Sequence, residues 1–154
     1  MNRLLLVRMA LAPALGLSAS AHAAHAACEQ GTPTVFSCHA AKGKRIQVCD
    51  AGKTIDYSFG KAGSAPEIVV RAPRSQASTY QWKGIGRYLS YAVQVPNGDT
   101  TYNVFWGADR LTEEHPIEAG VHVEVKGKLV ATVKCVGEKH IVQNIEGIDL
   151  KPVE

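Results

Sequence analysis

Apolar and polar residues alternate along most of the chain. Ile55, Tyr57 and Phe59 are separated by single residues, and this period of two places all three on one face of a β-strand. The same alternation recurs in four further sets: Leu89, Tyr91, Val93 and Val95; Tyr102, Val104 and Trp106; Val121, Val123 and Val125; and Leu129, Ala131 and Val133. No segment repeats apolar residues with a helical period over three turns. The pattern therefore predicts an all-β fold.

Turn motifs separate these predicted strands. They are Lys42-Gly43-Lys44, Asp50-Ala51-Gly52-Lys53, Pro96-Asn97-Gly98-Asp99 and Lys126-Gly127-Lys128. Asn-Gly supplies the positive φ angles that a tight hairpin needs. Short strands joined in this way predict an antiparallel barrel or sandwich of about eight strands. The connection Ala108–Ala119 is expected to hold one turn of helix.

The N-terminal segment has the features of a secretory signal peptide, which we expect over residues 1–26. Arg3 and Arg8 flank an apolar run, and small residues follow it. Pro13 and Gly16 interrupt that run, which is also too short for a membrane span of about 20 residues. The sequence thus predicts a protein exported to the periplasm or secreted, without a transmembrane segment.

The cleavage site has two candidate positions. Ala21 with Ala23, or Ala24 with Ala26, would supply the small residues that signal peptidase requires. The second pair leaves one all-β domain over residues 27–154. Acylation of Cys28 after cleavage directly before it is the alternative, and it would anchor the protein to a lipid bilayer.

The predicted removal of the leader changes the charge balance. The chain has 17 Lys and Arg against 14 Asp and Glu, and the leader holds two of the arginines and none of the acids. The remaining domain has 15 basic and 14 acidic residues. It therefore lacks the basic excess that nucleic-acid binding requires, and we expect no nucleic-acid partner.

Four cysteines follow the leader: Cys28, Cys38, Cys49 and Cys135. Export favours disulfides, and four cysteines allow three pairings. A structural zinc site usually shows ligands two to four residues apart, whereas the smallest spacing here is ten residues. We therefore expect two disulfides and no metal.

Strand alternation favours one of the three pairings. Phe36 and Cys38 share a face, and burying that face against Ile46 and Val48 turns Cys49 to the other side of the sheet. Cys135 continues the predicted core-facing row of the last strand. This favours Cys38–Cys135 and Cys28–Cys49. A register shift of one residue would instead join Cys38 to Cys49.

The sequence contains no motif of a known catalytic site. It has no Gly-x-Ser-x-Gly, no His-Glu-x-x-His and no phosphate-binding loop. His115 follows Glu113 and Glu114 in a polar connection, where such residues are usually surface groups. We expect neither catalysis nor a cofactor.

Aromatic and basic residues gather in the segment 78–91. Tyr, Trp and Arg anchor many protein interfaces because each combines a large apolar body with a polar group, and glycines permit close approach to a partner. The predicted partner-binding residues are Trp82, Lys83, Gly84, Gly86, Arg87 and Tyr88. The alternative is that Trp82 and Tyr91 are core residues and Arg87 covers a strand edge.

Four short motifs carry a resemblance to a known family. They are Val35-Phe36-Ser37-Cys38, Gly84-x-Gly86-Arg87-Tyr88, Phe105-Trp106 and Thr132-Val133-Lys134-Cys135. Their order resembles the small periplasmic or lipid-anchored inhibitors of C-type lysozyme, the MliC/PliC family. The resemblance implies an eight-stranded antiparallel barrel whose first-strand cysteine is joined to a C-terminal one, in agreement with Cys38–Cys135.

The same resemblance implies a protein partner. The family motif Ser-Gly-x-x-Tyr, with a nearby basic residue, reaches the catalytic carboxylates of the lysozyme. Arg87 and Tyr88 match it, whereas Gly84 stands at the position of the serine and Ile85 at that of the glycine. The resemblance thus implies an inhibitor that places this loop in the lysozyme cleft.

A second function is compatible with the strand pattern. The protein could be a small-ligand carrier of the cell envelope, or a small enzyme, that uses the interior of a barrel. Polar groups facing that interior would indicate such a role, but Ser90 and Asn103 point away from the aromatic rows. A ligand-sized cavity with convergent polar groups would favour this alternative.

Overall fold

The computed structural model describes residues 28–29 and 31–154 as two β-sheets. The predicted signal peptide lies outside the described residues. The strands are β1 Thr34–Ala40, β2 Lys44–Asp50, β3 Thr54–Lys61, β4 Ile68–Pro73, β5 Ser78–Gln81, β6 Tyr88–Asn97, β7 Thr100–Asp109, β8 Ile117–Val125, β9 Lys128–Lys134, β10 Val142–Gln143 and β11 Lys151–Pro152. Two 3-10 turns, Ala41–Gly43 and Glu138–His140, complete the regular structure of this part of the chain.

The two sheets form a sandwich. One sheet has the order β10-β1-β2-β3-β4, and the other has the order β11-β5-β6-β7-β8-β9. All neighbours are antiparallel except β11 and β5. The all-β prediction is confirmed, and of its two architectures the described residues adopt the sandwich rather than a closed barrel.

The core lies between the inner faces of the two sheets. Each sheet contributes the residues that the alternation predicted, among them Phe36, Ile46, Val48, Ile55 and Tyr57 from the first and Tyr91, Val93, Val95, Tyr102, Val104 and Val121 from the second. The rings of Tyr57 and Tyr102 stack across the interface with centroids 4.4 Å apart. The interior is therefore filled by side chains.

Both predicted disulfides are present. Cys38–Cys135 joins β1 to the residue after β9, and Cys28–Cys49 ties the start of the described chain to β2. The register of β1 and β2 is the predicted one, because Phe36 pairs with Val48 and Cys38 with Ile46. This register places Cys38 and Cys49 on opposite faces of the sheet, so they cannot pair with each other. The two bonds indicate an oxidising compartment.

The two main hairpins have different turns. Asn97 pairs with Thr100, so Gly98 and Asp99 occupy the β6–β7 turn, and the positive φ falls on Gly98 and not on Asn97. Lys126 and Gly127 both have positive φ in the β8–β9 turn, as a type I′ turn requires.

Three sequence expectations need correction. Eleven strands occupy the described residues instead of about eight, since two-residue strands such as β10 are too short to produce an alternating pattern. The expected helical turn in Ala108–Ala119 is absent, because β7 and β8 extend into that segment and leave only 110–116 as a connection. Leu129 does not share the face of Ala131 and Val133, since an irregularity pairs it with Glu124.

Among the described residues, no helix has the length and apolar character needed to cross a bilayer.

Candidate binding site

The predicted partner-binding residues occupy the connection between β5 and β6 and the first residue of β6. Trp82, Lys83, Gly84, Gly86 and Arg87 lie in the connection, and Tyr88 begins β6. Gly84 and Gly86 have φ values of 82° and 99°, which L-residues with side chains rarely adopt. The glycines therefore shape this turn directly.

An internal hydrogen bond closes the loop on itself. The Trp82 indole N–H donates to the carbonyl oxygen of Ile85 at 2.9 Å, and the Trp82 ring packs partly against the core. The Arg110 guanidinium lies 4.6 Å from the centroid of the Trp82 ring, within the range of a cation–π contact. Trp82 thus anchors the loop, as the packing alternative proposed, and Tyr91 is buried.

Asp109 joins this loop to the connection 110–116. Its Oδ2 accepts hydrogen bonds from Arg87 Nε at 2.8 Å and Arg87 Nη2 at 2.6 Å. Its Oδ1 accepts from the backbone N–H of Leu111 at 3.0 Å. The backbone N–H of Arg110 also donates to the Arg87 carbonyl oxygen at 3.0 Å. These contacts hold the two loops together.

The Arg87–Asp109 pair is electrostatically well matched. Hydrogen bonds from Arg87 and from the Leu111 backbone lower the pKa of Asp109, and the bond to Asp109 raises the pKa of Arg87. Asp109 itself is buried, whereas the Arg87 side chain is half exposed. A carboxylate of a partner would therefore compete with Asp109 for this guanidinium.

Two large apolar side chains are exposed on the joined loops. Ile85 is 85% exposed and Leu111 is 74% exposed. The exposed Lys83 lies two residues before Ile85, and the exposed Arg110 directly precedes Leu111. We call these four residues the apical patch. Exposed apolar groups on a loop held by internal contacts are suited to binding, because little conformational freedom remains to be lost.

A groove lies on the outer face of the six-stranded sheet, next to the loop. Its volume is about 430 Å³, within the range of roughly 300–1,000 Å³ typical of small-molecule sites. Tyr80 and Tyr88 line it and are 44% and 58% exposed. Phe105 lines it from β7 and stacks on His122, with ring centroids 4.3 Å apart.

The floor of the groove consists of small residues, and its ends are polar. Ser90, Ala92 and Gly107 are cross-strand or next-but-one neighbours on β6 and β7. Gln94 and Asn103 pair across the same two strands at one end, and Glu118 lines the groove near Pro116. Gly107 opposes both Ser90 and Glu118, so the register places the small floor beside the carboxylate.

The positions of Ser90 and Asn103 move the candidate small-ligand site from the interior of the fold to the outer face of the six-stranded sheet. Both side chains point away from the core, as the alternation predicted, and both line this outer groove. The filled core leaves no support for a ligand in the interior. Convergent polar groups do exist, on the outer face of one sheet.

The histidines and cysteines form no cluster among the described residues with the composition of a metal site. His115 Nδ1 lies 2.9 Å from the backbone oxygen of Asp109, and His122 Nδ1 lies 2.9 Å from Thr132 Oγ1. Each imidazole therefore has a local structural contact.

Sequence reasoning missed several residues of this region. Asp109 was not recognised because it is the last residue of β7, before an acidic connection, and has no motif of its own. Ile85 and Leu111 are single apolar residues in loops, and Tyr80 and Phe105 read as ordinary strand aromatics. Only the pairing of β5, β6 and β7 brings the last two to one surface.

Comparisons with known proteins identify no relative: the chain matches no protein-family model, no curated protein and no solved structure.

Proposed function

We propose that the protein is an exported, periplasmic binding module that recognises a protein partner through its apical patch and performs no chemistry itself. The observation that carries this proposal is the exposure of Ile85 and Leu111 on two loops tied together by Asp109. Large apolar side chains rimmed by polar groups are typical of interaction sites.

The charge of the patch indicates the kind of partner. Lys83 and Arg110 flank the apolar residues, and Arg87 lies at the base of the loop with its charge balanced by Asp109. An apolar pocket bordered by carboxylates would complement this arrangement, and the complementary charges would speed association. The cleft of a C-type lysozyme has this chemistry according to the family resemblance, so we propose lysozyme inhibition as the specific activity.

The test follows lysis of a cell-wall suspension by a C-type lysozyme while the purified protein is added. We expect inhibition that Ile85→Asp and Lys83→Glu each weaken, because the first places a charge at the apolar tip and the second reverses the charge beside it. Val69→Asp is the matched control, since Val69 is exposed on β4 of the other sheet. Absence of inhibition at a large molar excess would exclude lysozyme as the partner.

The broader proposal has its own test. Chemical cross-linking in an envelope extract, compared between the wild type and Ile85→Asp, asks whether any protein is held by the apical patch. A cross-linked partner that is lost in Ile85→Asp and retained in Val69→Asp would support the proposal. Equal cross-linking in all three proteins would contradict it.

The outer groove favours small-ligand binding as a second candidate function. Its volume, its aromatic walls and its polar ends are those of a small-molecule site. A thermal-shift screen of small compounds, repeated with the groove filled by Gly107→Val, would test this candidate. Compounds that raise the melting temperature of the wild type but not of Gly107→Val would support it.

A further inference from the structure

We propose that the outer groove binds a neutral sugar ring of a glycan. This inference rests on the second candidate function and names its ligand class. Four features of the groove support it: the aromatic walls, the small floor, the Gln94 amide at one end and the charge of the lining.

The walls of the groove offer flat apolar surfaces that the fold does not need. Tyr80 and Tyr88 lie on the outer face of the sheet and remain about half exposed, although the opposite face already forms the core. The faces of aromatic rings carry partial negative charge. The C–H groups on one face of a pyranose ring carry partial positive charge, so such a ring can stack on these tyrosines.

The floor permits a ring to lie close to the sheet. Ser90 and Gly107 oppose each other across β6 and β7, and Ala92 opposes Phe105. None of the floor residues has a side chain larger than a hydroxymethyl group, whereas Tyr88 and Phe105 rise on either side. A flat ligand fits between these walls, in contact with the hydroxyl group of Ser90.

Gln94 provides a hydrogen-bond donor at one end of the groove, beside its cross-strand neighbour Asn103. Gln94 Oε1 accepts a hydrogen bond from the Ser78 hydroxyl at 3.2 Å, which leaves the amide N–H groups of Gln94 to donate. Asn103 Oδ1 is buried and accepts no hydrogen bond in the described part of the chain. Sugar hydroxyls accept hydrogen bonds, and so can serve the Gln94 amide at the surface of the groove, whereas Asn103 Oδ1 lies beneath it.

The charge of the lining excludes other ligand classes. The described residues that line the groove include no lysine or arginine, and Glu118 brings a carboxylate to it. Lys134 Nζ lies 3.7 Å from Glu118, and Arg87, whose guanidinium lies 5.8 Å from the centroid of the Tyr88 ring, is bound to Asp109. Neither cation is therefore left unpaired for a phosphate or a carboxylate. A hydrocarbon chain would leave the amide N–H groups of Gln94 without a partner, at a desolvation cost. A neutral ring bearing hydroxyl groups suits both the aromatic walls and the amide of Gln94.

The experiment titrates cellotetraose and chitotetraose, two neutral glycans, into the purified protein. Binding is followed by calorimetry and by tyrosine fluorescence, because Tyr80 and Tyr88 line the groove. We expect saturable binding of at least one glycan. Tyr88→Ala is expected to weaken it at least about fivefold, the loss typical of a central aromatic contact.

Gly107→Val and Val69→Ala complete the set of variants. The first fills the floor and should abolish binding, and the Cβ of its side chain comes no nearer than 3.4 Å to a neighbouring atom. The second alters an exposed residue of the other sheet and should leave the affinity unchanged. Urea unfolding of each variant verifies folding, and Tyr88→Ala carries the test alone if Gly107→Val does not fold.

Two further probes separate this inference from the function on which it rests. They are N-acetyl-tyrosine amide and a neutral long-chain alcohol. If one of these binds in a Gly107-dependent manner and neither glycan binds at millimolar concentration, the sugar assignment is overturned while small-ligand binding stands. If nothing binds, both are overturned. Glycan binding that Tyr88→Ala and a folded Gly107→Val leave unchanged also overturns the assignment.

Discussion

Arg87 donates hydrogen bonds from both Nε and Nη2 to a single carboxylate oxygen of Asp109, at 2.8 and 2.6 Å. The other oxygen of Asp109 accepts the backbone N–H of Leu111. One buried carboxylate therefore holds both loops of the apical patch. Arg87 positions the loop, and the exposed groups left to contact a partner first are Ile85, Lys83 and Leu111.

Replacing Asp109 with Asn should produce a pH-dependent loss of stability. The pKa of Asp109 is lowered in the folded protein from its ordinary value of 3.8. Its charge therefore contributes stability that is complete above the ordinary pKa and lost as the pH falls through the lower folded value. We expect the difference in unfolding free energy between wild type and Asp109→Asn to be constant above about pH 5 and to shrink in more acidic solution.

Urea unfolding at a series of pH values measures this difference. Asp99→Asn is the control, because Asp99 is exposed in the β6–β7 turn and lies 3.6 Å from the exposed Lys126. Such surface pairs contribute little. A stability difference for Asp109→Asn that does not change with pH would show that the ionised carboxylate is unimportant.

The two disulfides should contribute unequally to stability. Cys38–Cys135 spans 97 residues and Cys28–Cys49 spans 21. In the chain-entropy model these loops correspond to about 4.7 and about 3.4 kcal/mol. We expect the double variant Cys38→Ala/Cys135→Ala to unfold at a clearly lower urea concentration than Cys28→Ala/Cys49→Ala. Equal midpoints would contradict the prediction.

Gly120 should be far less tolerant of a side chain than Gly107, although both lie within strands of the same sheet. A Cβ at Gly120 would collide with the backbone oxygen of Val133 and lie 3.0 Å from the Cα of Lys134. We expect Gly120→Ala to lower the unfolding free energy by about 1–3 kcal/mol, as overpacking does. Gly107→Ala, with 3.4 Å to its nearest neighbour, is the matched control and should change it much less. Chemical denaturation compares the two.

Tyr57 should make the protein sensitive to alkali. Burial, and then the neighbouring Tyr102, raise the pKa of Tyr57 well above its ordinary value of 10.0. Because its pKa is raised in the folded state, Tyr57 contributes fully to the unfolding free energy below about pH 10. That contribution is lost as the pH rises, since the phenol ionises readily only in the unfolded chain. We expect Tyr57→Phe to lose less stability than the wild type between pH 9 and about pH 11. Absorbance at alkaline pH follows ionisation, and Tyr80→Phe, at a half-exposed site, should behave like the wild type.

The alternating pattern by itself determined the fold class and favoured the disulfide pairing that the structure shows. A strand's period of two is a local property, so the faces of Phe36, Cys38 and Cys49 could be assigned from neighbouring residues alone. The same reasoning was wrong for Leu129, because the irregularity between Val123 and Glu124 shifts the register. No residue type in that segment marks the shift.

The candidate site was decided largely by tertiary structure. The sequence alone identified the loop from Trp82 to Tyr88, because its aromatic and basic residues and its two glycines are close together in the chain. The role of Asp109 depends on the β6–β7 register, which brings it opposite Tyr88. The groove depends on the lateral order of β5, β6, β7 and β8, which joins Tyr80, Phe105 and Glu118 on one surface. Periodicity specifies which way a side chain points along its own strand, whereas the free energy of packing the whole sandwich selects which strands become neighbours.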